Sequence, residues 1–547
     1  MKRKLFTKVC SFILALSMML VLAACGAKSD LPTENASGNG EQTEGLKVVT
    51  MAISSTWDKL MPFDMSSNYG DVIMDMLFER LVLNMADGTV QPRLAESWSV
   101  NEDSTAITFN LNPDAKWHDG TPVTADDVVY TVQMATNTLV SASRRSHFRV
   151  IAGTDEGGAQ LSENSPEVKK IDDNTVEFTL KSQMDPESFL NIFCKNFYVL
   201  PKHILGQIPL EEINTAEFWQ KPTVGNGPFI FESMVTGEQI EMKANADYYL
   251  GAPKFDKLVI KVVSASNTLA GLISGEIDMT AGGNLGGIPL QDWEMAQAQS
   301  NLICESLPTL GYQYMAMNNS REYMTQNVRR AIDMAIDREA IVEQLLLGQG
   351  EIAAGPLPQS HRYFNNELLP VTRDVEKAKA LLEEEGWDSS RELLMLVPVG
   401  NQVREKSAPL IQQNLAEIGV KVKIQTADFP TLLNMVRNDE CDLALLGSAG
   451  STDPDESAQY IDPDMPNNFC LLTDYTLANI AKRGAAGLSF EERKPIYDEY
   501  QMALKELCPI SWLYFANSLM AYNSRLSNIP AADFASLSWQ AWTWEVT

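Results

Sequence analysis

Histidine is the scarcest ionisable residue in this chain of 547, with His118, His147, His203 and His361 the whole supply. Imidazole acid–base chemistry therefore has little to draw on, and neither a Gly-x-Ser-x-Gly elbow nor a His-Glu-x-x-His pair is present. Seven cysteines are widely spaced and give no zinc-ligand pattern. With Cys10 and Cys25 set aside for the reasons below, Cys194, Cys304, Cys441, Cys470 and Cys508 remain. That odd set implies no disulfide framework, and a single bridge such as Cys441 to Cys470 stays open. Positive charge is also short, 43 basic against 72 acidic residues, for a net −29. This balance excludes nucleic acid as a partner, because phosphate backbones demand basic patches. Gly282, Gly283, Gly286 and Gly287 are followed by no Lys-Ser or Lys-Thr, which removes a phosphate-loop reading. Past residue 24 no stretch of about 20 apolar residues occurs, so nothing downstream is predicted to span a bilayer. No metal or cofactor is implied, and there is no short-period repeat.

What is there begins at the N-terminus. Lys2, Arg3, Lys4 and Lys8 precede an uncharged apolar run from Val9 to Ala24, the pattern of a secretory signal with a core too short to cross a membrane comfortably. Leu22-Ala23-Ala24-Cys25 ends that run on a cysteine and resembles a bacterial lipoprotein signal. The resemblance implies cleavage of residues 1–24, a diacylglycerol on the Cys25 thiol and a mature chain tethered outside a bacterial membrane. Two acyl chains anchor far more firmly than one. A plain signal peptide with an incidental cysteine is the alternative. Cleavage deletes four positive charges and no negative one, moving the net charge from −29 to −33, which suits solubility near an anionic envelope. Residues 25–45 follow as a flexible tether, since Lys28 to Gly45 is rich in Ser, Gly, Asn, Thr and Glu and has little to bury.

The folded part is predicted to start near Leu46, with Lys47 to Ile53 as a first strand. Alternation marks strands at Ile107, Phe109, Leu111 and at Val176, Phe178, Leu180. Between them Thr124 caps a helix that has Asp126 and Asp127 at its positive end. Strand–helix alternation is plainer later. Leu393 to Val397 is a strand, a helix from Arg404 to Ile418 contains Pro409 and stops at Gly419, and Val420, Val422 and Ile424 mark the next strand. A short helix after Pro430 leads to an apolar strand from Asp442 to Leu446. The pattern is α/β with crossover helices, in a chain long enough for two or three domains.

Six phrases, in order, resemble the bacterial extracellular solute-binding proteins of family 5, which serve peptide and nickel ABC transporters. They are Asp87-Gly88-Thr89 with Leu94 to Trp98; Trp117-His118-Asp119-Gly120-Thr121-Pro122; Gly225-Asn226-Gly227-Pro228-Phe229 with Asn245 to Tyr249; Leu272 to Asp278; Val328 to Arg338; and Lys377-Ala378 closing at Gly386-Trp387. Physical chemistry gives most of them scaffold roles. Asp119-Gly120 is a turn, Gly225 and Gly227 allow backbone angles that other residues resist, and Val328, Ala331, Ile332 and Ala335 share one face of an amphipathic helix. His118 beside Asp119 reads as a packed histidine next to a turn rather than as an acid–base pair. The resemblance implies a two-lobed periplasmic-binding-protein type II fold with an inserted domain and a two-segment hinge. Lobe I would take 46–84, 222–306 and 511–547, the insert 85–221, and lobe II 307–510, with crossings near Leu307-Pro308 and Pro509-Ile510. It further implies a monomeric receptor, not an enzyme, that closes over a small solute, foremost a peptide, and docks on ABC transporter permease subunits.

In the peptide-binding branch the resemblance implies an extended peptide held through its backbone, an aspartate on its amine and an arginine on its carboxylate. The aspartate's place falls within Leu446 to Asp455. Ser448 stands at an expected tryptophan, and beyond Gly450 the aspartate position falls on Ser451 or Thr452. Serine accepts from an ammonium without neutralising it, so Asp453 or Asp455 is the substitute, with a turn role before Pro454 as the alternative for Asp453. For the carboxylate, Arg404 is nominated and Asn401 occupies the closer position after the strand at Leu393. Arg144, with Arg145, His147 and Arg149, forms a second cationic cluster in the insert, which overhangs the cleft in relatives; it is a candidate ligand contact, with a solvated charged face as the alternative. Met61, with Trp57 and Phe63, falls where relatives line the first lobe's wall, against a core-packing alternative. Competing readings are a secreted lipid-anchored hydrolase, a peptide or pheromone sensor on the same fold, and a nickel-chelate or sugar ligand.

Overall fold

The computed structural model describes residues 45–547 apart from 58, 66–67, 194–196, 283–284, 459 and 531–537. The signal, Cys25, most of the tether, Cys194 and Gly283 lie outside the described residues. None of the described helices is long and apolar enough to cross a membrane.

Two mixed sheets carry the site. The first has seven strands in the order Leu302–Leu307, Ser518–Asn523, Met279–Thr280, Val48–Ile53, Lys257–Val262, Gln239–Ala244 and Phe229–Val235. Val48–Ile53 lies between two parallel neighbours, and its Val49, Met51, Ala52 and Ile53 are all buried, as expected of a strand covered on both faces. The second has six, in the order Gly350–Ile352, Ile510–Ala516, Tyr312–Met317, Leu443–Ser448, Glu392–Pro398 and Lys421–Ala427. Its last two strands are parallel and joined by helix Gln402–Glu417, which contains Pro409; Gly419 then reverses the chain at φ 82°. A four-stranded antiparallel sheet, Ala95–Val100, Ala106–Leu111, Thr175–Thr179 and Val168–Asp172, lies in the segment read as the insert.

The cores divide unequally. Val49, Met51 and Ile260 of the first sheet share one continuous apolar cluster with Ile107, Phe109 and Phe178 of the four-stranded sheet. The second sheet instead has a core of its own on each face, one around Tyr312, Tyr497 and Trp512 and the other around Met315, Ile411 and Leu445. A shared core couples segments mechanically, whereas separate cores leave a seam that can open.

Three local expectations change. The helix read as running to Arg338 is Gln326–Ala335. Its Val328, Ala331, Ile332 and Ala335 are buried as the pattern requires, but Ile336 turns extended and buried Arg338 pairs with Asp333 and donates to the Trp512 carbonyl and Ser511 Oγ. The second crossing is not at Pro509-Ile510. Ile510–Ala516 pairs with Tyr312–Met317 and Gly350–Ile352 in the second sheet, and Ser518–Asn523 pairs with Leu302–Leu307 in the first, so the chain changes sheets at Asn517. Gly225 and Gly227 do not hold positive φ. They are needed for close approach, since a Cβ would meet the Leu77 carbonyl oxygen at 2.0 Å and the Met76 carbonyl oxygen at 2.5 Å respectively. His118 pins the same motif: its Nδ1 accepts from Gly225 N at 3.0 Å and its Nε2 lies 3.0 Å from the Gly227 carbonyl.

Candidate functional site: a cleft at the two chain crossings

The crossings at 308–311 and at Asn517 run side by side. Thr309 Oγ1 donates to the Ala516 carbonyl at 2.9 Å, and Asn517 Nδ2 donates to Ser306 Oγ at 2.9 Å. Beside them opens a cleft of about 390 Å³, a size proper to small-molecule sites. Ser54 and Gly286 to Leu290 wall it from the first-sheet side; Gln313, Leu346, Val403 and Ser448 wall it from the second, and Thr309, Gln349, Asn517 and Ser518 close its floor. Its polar lining is therefore hydroxyl and amide, groups that donate and accept without charge.

Arg404 is the ionic group beside this lining. It sits in the first turn of helix Gln402–Glu417, half-buried. Its Nε donates to Gln313 Oε1 at 2.6 Å, and its Nη2 lies 2.3 Å from the point where a Cβ on Gly447 would stand. Among the described residues it makes no ion pair, and burial pushes its pKa down from the ordinary guanidinium value. A guanidinium without a carboxylate partner can bond an oxyanion through its remaining N–H donors. Ser448 also lines the cleft, where its Oγ bonds Tyr460 OH at 3.2 Å and accepts from Gly450 N at 3.1 Å.

The other nominated residues are employed elsewhere. Asn401 caps the helix that carries Arg404, its Oδ1 accepting from Arg404 N at 3.0 Å. Arg144 is held by Asp71 through two bonds of 2.8 and 2.9 Å; Arg145 and Arg149 donate to backbone carbonyls. Met61 is fully buried, and it, Trp57 and Phe63 belong to the large shared core, so the packing alternative describes them. Gly450 adopts φ 75°, with the Leu310 carbonyl oxygen 2.0 Å from where a Cβ would be. Ser451 Oγ bonds Glu456, and buried Thr452 offers its carbonyl to His361 Nε2 at 3.1 Å. Cys441 and Cys470 are free buried thiols with no bridge between them.

Asp453 corrects the amine-clamp expectation most clearly. It is buried against Arg493, whose Nη2 and Nη1 reach Asp453 Oδ1 and Oδ2 at 2.8 and 3.0 Å. Burial alone would raise its pKa, but the Arg493 charge outweighs that and leaves it below the usual carboxylate range. Arg493 Nη1 also reaches Asp185 Oδ2 at 2.8 Å and contacts Ser188 Oγ. Asp185 and Ser188 open helix Pro186–Ile192 in the segment read as the insert, so this cluster spans the seam to the second-sheet region. Arg362 adds a bond to Glu187 Oε2 at 2.7 Å across the same seam. Asp455 sits at its edge, its pKa raised to about 6 by burial and by the Asp453 charge. Sequence reasoning missed Gln313, Arg493, Asp185 and Ser188.

Comparison with known proteins follows the same lines. The family model described as "Bacterial extracellular solute-binding proteins, family 5 Middle" matches residues 89–466. The "Oligopeptide-binding protein AppA" of Bacillus subtilis (strain 168) is 28% identical over 546 residues, covering 96% of each chain. Among solved structures, an ABC transporter substrate binding protein, CtaP, from Listeria monocytogenes matches with a TM-score of 0.80 at 26% identity, covering 92% of this chain and 100% of that one. The oligopeptide-binding protein AppA from Bacillus subtilis, in complex with a nonapeptide, matches with a TM-score of 0.70 at 25% identity over 92% and 100%. The fold is thus that of the type II periplasmic binding proteins.

Proposed function

This chain belongs to the bacterial extracellular solute-binding proteins of family 5, and from that premise we propose that it is a lipid-anchored receptor that captures a peptide and delivers it to an ABC transporter permease. The observation that carries the peptide reading is the Arg404 guanidinium, without an ion pair among the described residues, beside a cleft of neutral hydroxyl and amide groups. Such a lining can bond a peptide backbone without regard to side chains, while the cation takes the terminal carboxylate. The peptide-binding relatives support the same class of ligand.

In this reading lobe I comprises 46–84, 222–306 and 517–547, the insert 85–221 and lobe II 307–516. The shared core keeps the insert with lobe I, and closure is a rotation at 308–311 and Asn517 that brings the Asp185 and Arg493 sides together. Binding is then the whole chemistry, with no bond made or broken. Cys25 carries the lipid, so the mature protein works on the outer side of the membrane as a monomer on a tether.

The test is mass spectrometry of what the purified protein retains from a defined peptide mixture. Intact peptides recovered from it are the expected result; hydrolysed peptides, or none retained, would overturn the reading. For the anchor, C25S should move the protein from the membrane fraction to the medium.

A further inference from the structure

Arg404 does not stand alone over Gly447. Gln313 projects from strand Tyr312–Met317, directly across the ladder from Gly447. A Cβ built on Gly447 would fall 2.3 Å from Arg404 Nη2 and 2.6 Å from both Gln313 Nε2 and Oε1. The two side chains thus converge on one small space that only glycine leaves open.

Hydrogen-bond chemistry fixes how Gln313 is turned. An arginine Nε–H can only donate, so the atom 2.6 Å from it must be the amide oxygen. That orients the Nε2 amino group away from Arg404 Nε. Among the described residues neither Gln313 Nε2 nor the Arg404 Nη nitrogens have an acceptor in hydrogen-bond contact. Gln313 also lines the cleft. Donors from a guanidinium and a carboxamide, side by side and without acceptors, match the two oxygens of a planar carboxylate.

We propose that Gln313 is a ligand-binding and specificity-determining residue. Its Nε2 donates to the same ligand carboxylate as Arg404, and its neutral Oε1 aims the guanidinium without cancelling its charge. The ligand class this selects is a peptide with a free C-terminal carboxylate, in preference to the same peptide as an amide. The inference rests on the peptide reading above and adds the residue that makes the seat selective.

The neutrality of Gln313 is the sharp part. A glutamate there would set a carboxylate against Arg404 Nε, form the ion pair that Arg404 lacks among the described residues, and remove the second donor. A leucine would remove donor and aiming contact but leave the cation charged.

The experiment is titration calorimetry with short peptides from the mixture above, each made as a free acid and as a C-terminal amide, on wild type, Q313E and Q313L. Charge-assisted hydrogen bonds contribute about 1.5 to 3 kcal/mol each, so wild type should favour acids by roughly 10- to 100-fold. Q313E should bring the acid-to-amide ratio near one, and Q313L should reduce it about tenfold while amides bind as before. A ratio unchanged in both variants, each melting like wild type, overturns the role of Gln313 and leaves the peptide reading standing. Amides binding wild type as tightly as acids overturns the carboxylate seat without recourse to any variant. Failure of every peptide in both forms overturns the peptide reading and this inference with it.

Discussion

Replacing Arg493 with methionine should destabilise the protein by about 3 to 5 kcal/mol, the range for removing one partner of a buried ion pair. The structure puts this site at the demanding end of its class. The side chains of Arg493, Asp185 and Asp453 are each only 2% exposed, and methionine fills most of the volume, so lost packing contributes little. What is lost is the cation that two buried carboxylates share. Asp453 is below the usual carboxylate range because of that cation; without it, burial drives Asp453 to take up a proton, which caps the loss. Two double-mutant cycles at neutral pH, read by urea denaturation with tryptophan fluorescence, separate the terms. R493M with D453N measures a pair inside the second-sheet region, and R493M with D185N measures the pair across the seam, where asparagine preserves the helix cap. Coupling of about 1.5 kcal/mol or more is expected in each cycle. A loss below about 1 kcal/mol for R493M, or no coupling to Asp185, would refute the reasoning.

Other outcomes follow from single groups. Asp455, raised to about 6 from the ordinary 3.8, keeps a proton in the fold that the unfolded chain releases between those values, so its contribution is lost as pH rises through about 6; D455N should raise stability by about 2 to 3 kcal/mol at pH 7 and leave it unchanged near pH 4 in chemical denaturation. His118 and His361 run the other way, since burial lowers each to about 4 from 6.5 and the unfolded chain binds the protons first. Stability present above pH 6.5 should fall towards pH 4, by up to about 3 kcal/mol for each histidine, and H118Q should roughly halve their combined slope in melts across that window. G225A forces a Cβ to 2.0 Å from the Leu77 carbonyl oxygen, so it should lower stability by about 1 to 3 kcal/mol or more, with peptide affinity at 25 °C little changed.

Local patterns account for what could be read from the chain. Strands such as Ala106–Leu111 and Glu392–Pro398 announce themselves by alternation or apolar runs, and Thr124 and Gly419 punctuate helices by rules that act within one turn. The motif Gly225 to Gly227 was visible as a motif but not for its reason, because the Leu77 carbonyl that excludes a Cβ comes from another part of the chain. Pro509 is the conspicuous candidate for the second crossing, yet it only precedes strand Ile510–Ala516; the quieter Asn517 marks the change of sheet. Asp453 looks available in the sequence because its partners, Arg493 and Ser188, are separated from it by 40 and 265 positions. Arg404 was legible as a cation after a strand. Gln313 was not, since one polar residue in Tyr312–Met317 carries no signal until Gly447 is seen opposite it.

The seam that contains Arg493 has consequences for how a member of an extracellular protein family responds to salt. Exposed ion pairs weaken as salt rises, since charges in water are screened over about 10 Å at 0.1 M. The Arg362–Glu187 pair, with side chains 22% and 44% exposed, belongs to that class and forms a salt-sensitive rim. The Arg493 cluster does not, because mobile ions have no access to a guanidinium and carboxylates only 2% exposed. The seam thus keeps its strength from dilute to briny surroundings at its centre, and responds to them only at its edge.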